Sequence, residues 1–308
     1  MLRKLLSKVP KKRENDRLVD EREAQEFEYT PLPDPGQYIR LIKCHRRLPR
    51  TGRSSDEKIA CELITVIRTE APSYRALSYT WGADDARYQI LLGGCLFPVA
   101  KNLFDFLSAN EKRREDSTIL WIDAICINQQ DQIEKGPQVS LMGDIYSGAE
   151  NVIIWLGQRD NESFQTIEKA LEFLVFAEHH FGEQAVAAKF SAIFGDDTEQ
   201  FFNILRALFR HPYWSRAWIV QEVLLAQKLN IRCGKEEIRW DALDFWTWNF
   251  ISIFTTMGKE LPPGQLGIPR EKVEDLMYQR SERAKNPHGK GVIGYELSSL
   301  RGLIRSYH

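Results

Sequence analysis

Three short apolar runs constrain the fold of this chain more than any other feature of its sequence. They are residues 74–82 (YRALSYTWG), 119–128 (ILWIDAICIN) and 151–157 (NVIIWLG). Each run is almost continuously apolar and ends in glycine, asparagine or a polar cluster, which is typical of strands covered on both faces, as in a parallel sheet. A fourth run, residues 229–234 (LNIRCG), is more amphipathic, and we expect it at an edge of the sheet.

Helical patterns lie between these runs, and this alternation defines the expected topology. Strands that alternate with helices form right-handed crossovers and place helices on both faces of a sheet. We therefore expect an α/β domain with an open, mostly parallel, doubly wound sheet of the flavodoxin type. The helical patterns cover residues 102–113, 134–147, 161–180 and 213–226.

Further strands are expected outside the parallel block. Residues 38–42 and 59–67 alternate between apolar and polar positions with a period of two, which predicts a pair of half-buried strands. Glycine pairs and Gly-polar pairs between apolar segments predict β-hairpin insertions. The expected hairpins are residues 88–99, with a turn at Gly93-Gly94, and residues 229–240, with a turn near Gly234-Lys235.

The composition along the chain predicts three regions. Residues 1–36 are expected to form a charged, disordered N-terminal arm, because two thirds of residues 11–28 are charged and prolines follow them. Residues 37–245 hold the α/β domain. Residues 246–308 are expected to be a helical, partly mobile C-terminal extension, since proline, glycine and charge dominate much of this region.

Composition also excludes several classes of function. The chain has 42 basic and 43 acidic residues and a formal net charge of -1, so it lacks the basic excess typical of nucleic-acid binding. Its five cysteines are far apart, with no C-x-x-C pair and no Cys/His cluster at metal-ligand spacing. No segment approaches the roughly 20 apolar residues that span a bilayer. We expect a cytoplasmic protein without a metal or a membrane anchor.

Three motifs resemble the signature blocks of the fungal heterokaryon-incompatibility (HET) family, in the family's order and approximate spacing. They are residues 74–82, residues 120–157 (beginning LWIDAICINQQDQ) and residues 213–222 (YWSRAWIVQE). With the flanking strands, the resemblance covers roughly residues 38–245. Family members usually continue into a segment resembling D-P-R-D-K-V-Y-A-L-L-G and a long variable region, which this sequence does not include.

The resemblance implies a role in fungal non-self recognition that ends in growth arrest or programmed cell death, a form of innate immunity. HET domains are similar to TIR domains in strand and helix order, so a TIR-like fold is implied. Some TIR domains cleave NAD with a glutamate four residues after a tryptophan on a helix, and Trp218 and Glu222 have that spacing. The resemblance therefore implies an NAD+ glycohydrolase with Glu222 as its catalytic residue and NAD+ as substrate rather than cofactor.

The chemistry of this reaction is compatible with a single carboxylate. Nicotinamide leaves from a cationic nitrogen as a neutral ring, so no acid has to protonate it, unlike the leaving group of an ordinary glycoside. A fixed carboxylate stabilises the positive charge that develops on the ribose. Glu222 and Trp218 share one face of the expected helix. The alternative is structural: Glu222 bonds a neighbouring arginine or a backbone amide at the edge of the core.

Ligands of open α/β sheets bind beyond the carboxyl ends of the parallel strands, which locates the expected NAD site. We expect Trp81 or Tyr79 to stack on a base, the backbone at Gly82 and Gly157 to approach a phosphate, and Arg216 to pair with the pyrophosphate. The candidate binding residues are Ser78, Tyr79, Trp81, Gly82, Asp123, Trp155, Gly157, Arg216 and Trp218.

Each of these candidates has a structural alternative. The aromatic side chains are of types that pack in cores, and the glycines are of a type that takes positive φ in loops. Asp123 interrupts an apolar strand and so needs hydrogen-bond partners, which the loop after it can supply.

A non-catalytic signalling module is the alternative function. The polar loop 128–136 precedes a helix, in the position where TIR domains use a loop for self-association. The chain would then form a homo-oligomer on activation and recruit an upstream recognition or death-signalling protein. Motifs of other chemistries are absent from the sequence, since it has neither a G-x-S-x-G elbow nor a Walker loop.

Overall fold

The computed structural model describes residues 25–45, 59–82, 88–112, 118–157, 162–179, 183–195, 197–245 and 271–285. Within these ranges the strands form one sheet of nine strands, in the order β5-β4-β2-β1-β6-β3-β7-β8-β9. The strands are β1 Tyr38–His45, β2 Ala60–Ile67, β3 Arg75–Tyr79, β4 Tyr88–Leu92, β5 Cys95–Val99, β6 Ile119–Trp121, β7 Asn151–Trp155, β8 Leu229–Cys233 and β9 Glu236–Arg239.

Helices follow most of the strands and cover the sheet. Two 3-10 turns, Arg68–Glu70 and Pro212–Ser215, join neighbouring elements. The α-helices are α1 Lys101–Lys112, α2 Asp123–Cys126, α3 Gln132–Ser140, α4 Met142–Gly148, α5 Glu162–His179, α6 Glu183–Phe194, α7 Thr198–Phe209, α8 Ile219–Leu225 and α9 Glu271–Lys285.

The parallel block expected from the apolar runs forms the middle of the sheet. Strand β3 is parallel to both β6 and β7, and β7 is parallel to β8. Every residue of β7 is buried, as is the stretch from Ala76 to Tyr79 in β3. The continuous apolar runs thus correspond to strands covered on both faces, as predicted.

The sheet as a whole is mixed rather than uniformly parallel. Strand β1 lies between β2 and β6 and is antiparallel to both, and each hairpin adds one antiparallel pair. Both hairpins have the expected turns, with positive φ at Gly93, Gly94 and Gly234. The α/β class and the hairpin insertions are therefore confirmed, together with a parallel centre.

The prediction that the fourth run lies at the sheet edge is wrong. Strand β8 pairs with β7 on one side and with β9 on the other, so β9 is the edge strand. The prediction failed because the charge of Arg232 gave the run an amphipathic pattern. Its side chain is fully buried, with the guanidinium over the rings of Phe106 and Trp155 and a hydrogen bond to Asn110.

The first strand is more deeply buried than its alternating pattern predicts. Ile39, Arg40, Leu41 and Ile42 are all buried, so both faces of β1 are covered. Arg40 is accommodated by a two-pronged ion pair with Glu134 of α3, with N–O distances of 2.5 and 2.7 Å. Strand β1 can therefore lie in the interior of the sheet despite its alternating pattern, because the buried carboxylate of Glu134 pairs with Arg40.

Two predicted helices are each divided. The segment 134–147 forms parts of α3 and α4, which meet at Leu141. The segment 213–226 forms the end of a 3-10 turn and then α8, with the backbone of Arg216 extended between them. Helices α6 and α7 were not predicted. They bury phenylalanines from a region without a signature motif, including Phe190, Phe194 and Phe201.

Parts of the predicted domain division lie outside the described residues. The arm falls mostly within residues 1–24, and the C-terminal extension contributes only α9 to the described part of the chain. The boundaries at residues 36 and 245 stay predictions. None of the helices in the described ranges combines the length and apolar character needed to cross a membrane.

The Arg40–Glu134 pair gives a direct test of how the sheet is held. Glu134→Ala is expected to lower the free energy of unfolding by about 3 to 5 kcal/mol, because it leaves Arg40 buried without its counter-charge. Urea denaturation measures this value. Glu199→Ala is the matched control, since Glu199 pairs with Arg206 but is 49% exposed, and its loss is expected to cost less than about 1 kcal/mol. Equal costs for the two variants would contradict the assignment.

Candidate functional site

The candidate site lies at the carboxyl ends of the central parallel strands. Ser78 and Tyr79 are the last residues of β3 and are both buried. Asp123 follows β6 almost directly and is the first residue of α2. Because β3 and β6 are parallel neighbours, their carboxyl ends bring these side chains to the same edge of the sheet.

Glu222 and Arg216 form the charged centre of the site. The guanidinium Nη1 and Nη2 lie 2.9 and 3.0 Å from the two carboxylate oxygens of Glu222, which is a two-pronged pairing. Glu222 is fully buried, whereas the side chain of Arg216 keeps 18% of its surface exposed. Arg216 is therefore the member of the pair that solvent reaches.

A chain of hydroxyl groups completes the surroundings of Glu222. Ser78 Oγ donates a hydrogen bond to Glu222 Oε2, and it lies 2.6 Å from the hydroxyl of Tyr213. The Arg216 guanidinium lies over the Tyr213 ring, 5.4 Å from its centre. Burial, followed by the charge of Glu222, raises the pKa of Tyr213. The phenol is thus neutral at physiological pH and can act as a donor.

Asp123 supplies a second buried carboxylate to the same region. Its Oδ2 accepts a hydrogen bond from the indole nitrogen of Trp81 at 2.9 Å, and its Oδ1 accepts one from the backbone of Ala124 at 2.8 Å. Burial and then the nearby charge of Glu222 raise its pKa from 3.8 to about 6. Two carboxylates therefore influence each other electrostatically, with Arg216 as the cation of the group.

Two tryptophans of the site are partly exposed. Trp81 is 42% exposed and is fixed by Asp123, while Trp218 is 37% exposed and immediately precedes α8. The backbone carbonyl of Trp218 accepts a hydrogen bond from the amide of Glu222. Gly82, next to Trp81, has a φ of 83° and open space where a side chain would project. A partly exposed aromatic surface, next to open space at Gly82, thus adjoins the buried charges.

The remaining predicted residues are buried at or just after the ends of β3 and β7. Trp155 is fully buried, and its indole nitrogen donates to the carbonyl and the side chain of Asn102. Gly157 has a φ of 115°, and its carbonyl accepts a hydrogen bond from Gly234. Tyr79 is also buried. These contacts match the structural alternatives for the three residues, and their binding roles stay predictions.

Two tyrosines of the site were not among the predicted residues. Tyr213 opens the third sequence motif, so its position was available as a signal. Tyr146 of α4 is buried, donates to the carbonyl of Leu77, and has its pKa raised by burial and by the charge of Glu222. Nothing in the local sequence around Tyr146 indicated that it lies near the carboxylates. Among the described residues, no group of three or more His, Cys, Asp or Glu side chains is arranged to hold a metal ion.

The raised pKa of Asp123 predicts a pH dependence of stability. Between pH 3.8 and about 6 the folded protein holds a proton that the unfolded chain has lost. The free energy of unfolding therefore falls as the pH rises through this window, by about 2 to 3 kcal/mol. In Asp123→Asn this fall is expected to disappear. Urea denaturation of both proteins at several pH values isolates the difference, and a difference independent of pH would contradict the prediction.

Comparison with known proteins finds a family model that matches the residues of this site. Residues 74–222 match the family model described as heterokaryon incompatibility protein (HET). The chain is also similar to heterokaryon incompatibility protein 6, OR allele, of Neurospora crassa, with 33% identity over 158 residues, which is 47% of this chain. The match spans 22% of the length of that relative. No solved structure matches. The site described above lies within residues 74–222, the part of the chain that is similar to the HET family.

Proposed function

We propose that this chain acts in heterokaryon incompatibility, the role that the Neurospora relative carries in its name, by cleaving NAD+ at the bond between nicotinamide and ribose. The observation that supports this proposal is the buried carboxylate of Glu222, held by Arg216 and Ser78 beside the exposed ring of Trp81. A buried, preorganised carboxylate near an aromatic surface suits a substrate that carries both a cationic leaving group and bases.

The proposed reaction is a hydrolysis of NAD+ to nicotinamide and ADP-ribose. The bond between ribose C1′ and the pyridinium nitrogen breaks, and its electron pair neutralises the nicotinamide ring. Water forms the new bond to C1′ and releases a proton. Glu222 stabilises the positive charge on the ribose while the bond is broken, because a fixed charge in a dry site is not weakened by reorganising water.

Arg216 has two roles in the proposed reaction. Its two nitrogens neutralise Glu222 in the absence of a ligand, and its exposed edge is the point at which an anion reaches the site. A pyrophosphate is a two-pronged acceptor of the same kind as a carboxylate. Binding of the NAD+ pyrophosphate to Arg216 thus frees an oxygen of Glu222 to face the ribose, so that substrate binding itself activates the carboxylate.

Asp123 and Trp81 form the part of the site that holds a base. The hydrogen bond from the indole to Asp123 fixes the plane of the Trp81 ring, and the partly exposed ring gives a stacking surface. Serine and tyrosine hydroxyls keep Glu222 oriented. Each residue of the cluster thus has a defined part in binding or orientation.

The decisive experiment is NAD+ turnover by purified protein with and without Glu222. Nicotinamide release is followed with a crowding agent present, and Glu222→Gln is expected to reduce it by at least about 100-fold, because the neutral amide cannot stabilise the ribose cation. Thermal unfolding shows whether the variant is folded. Glu199→Gln, an exposed glutamate of α7, is expected to keep the wild-type rate. Equal turnover by wild type and a folded Glu222→Gln variant would rule out this role.

A non-catalytic association module is the second candidate, and one observation favours it. Ile133 in the first turn of α3 is 83% exposed, in the same loop and helix that the sequence marked for self-association. The helix is held firmly beneath it, since Glu134 is buried against Arg40 and accepts a hydrogen bond from the amide of Asn128. A rigidly presented apolar side chain suits contact with another protein.

This second candidate predicts a change in assembly. Ile133→Ser is expected to weaken self-association by at least about tenfold, because a central apolar contact is lost. Sedimentation velocity over a range of protein concentrations measures the effect. Tyr278→Ser, which removes a side chain that is 63% exposed on α9, serves as the control. If cell killing in a fungal host is lost in Ile133→Ser but retained in Glu222→Gln, the module replaces the enzyme as the explanation.

A further inference from the structure

The helix that carries Glu222 is short and depends on other parts of the fold. Helix α8 has seven residues, Ile219–Leu225, and no side chain caps its N-terminus. Isolated helices of this length are not stable in water. The last carbonyl groups of a helix also lack partners within it and need donors from elsewhere. The position of Glu222 is therefore only as well defined as the contacts that hold α8.

Two arginines of α9 supply donors to the C-terminal end of α8. Nη1 of Arg280 donates to the carbonyls of Val223 and Ala226 at 2.7 and 2.8 Å, and its Nη2 donates to the carbonyl of Gln227 at 3.2 Å. Arg283 donates to the carbonyl of Leu224 at 3.0 Å. Four of the five carbonyl groups from Val223 to Gln227 thus accept hydrogen bonds from side chains of a distant part of the sequence.

The electrostatics of this contact are favourable at the end of a helix. The C-terminus of α8 carries the partial negative charge of the helix dipole, so a guanidinium there is attracted as well as hydrogen-bonded. Arg280 is half-buried in this contact, and the resulting desolvation lowers its pKa. Two buried side chains of α9, Leu276 and Met277, fix the helix on the domain one turn before Arg280.

We propose that α9 is a positioning element for Glu222, with Arg280 and Arg283 as positioning residues that hold the C-terminal end of α8. Glu222 immediately precedes Val223, whose carbonyl is the first of those bound, so a loosened end of α8 disturbs the pairing of Glu222 with Arg216 and Ser78. The matched family region ends at residue 222, before both α9 and the clamped carbonyls. The site is thus completed by a segment outside that region.

Hydrogen exchange tests the proposal without any assumption about the reaction. In the full chain, Arg280→Ala is expected to raise amide exchange in residues 219–227 by at least about tenfold, while exchange in β7 stays as in wild type. Arg206→Ala is the matched control, because the partners of Arg206, Glu199 and Asn203, lie on its own helix. Arg283→Ala removes a single bond and is expected to give a smaller rise at the same amides.

The catalytic consequence rests on the proposed NAD+ cleavage and is measured separately. In Arg280→Ala, kcat is expected to fall by at least about tenfold with KM changed by less than about threefold, because Arg280 binds backbone and not substrate. Wild-type exchange of residues 219–227 in both arginine variants would overturn the positioning role. If exchange rises but wild-type protein does not cleave NAD+, the clamp stands and the proposed reaction fails. Should Arg280→Ala fail to fold, Arg283→Ala alone decides the result.

Discussion

The ion pair between Arg216 and Glu222 is the interaction on which the rest of the site depends. A carboxylate with no exposed surface is costly to bury, and the cost is offset only when its charge is matched and its oxygens are hydrogen-bonded. Arg216 provides both bonds of a fork, and Ser78 provides a third. This set of contacts joins α8, the extended segment before it and the end of β3, so the charged centre also fixes the local backbone.

A second buried pair, Arg40 with Glu134, organises the neighbouring part of the sheet in the same way. Arg40 lies in an interior strand, and Glu134 reaches it from α3 while also accepting the amide of Asn128. Arg40 donates in turn to the carbonyls of Thr30 and Cys126. The loop after β6 is therefore hydrogen-bonded to β1 and α3, which stabilises the segment that follows Asp123.

Burial divides the site into an enclosed part and a partly exposed part. Glu222, Ser78 and Tyr213 are enclosed, whereas Trp81 and Trp218 keep exposed ring surface. The charged centre is thus held by packing, whereas the aromatic residues beside it keep contact with solvent. The arginines of α9 add to the contacts that hold Glu222, because they bind backbone carbonyls at the C-terminal end of α8.

The sequence by itself determined the strands of the parallel centre and both hairpins, because continuous apolar runs and glycine turns are local signals. It also named Glu222 and Arg216 as candidate site residues, and their roles stay predictions. It could not show that Arg40 and Arg232 are buried, that β8 is interior, or that Tyr146 lies near Glu222, since each depends on residues distant in the chain. The pairing of Arg216 with Glu222 and the clamp from α9 were likewise decided only by the tertiary structure. A charged residue can be assigned to the surface or to the interior only when its partner is known, because an ion is buried only where another group compensates its charge.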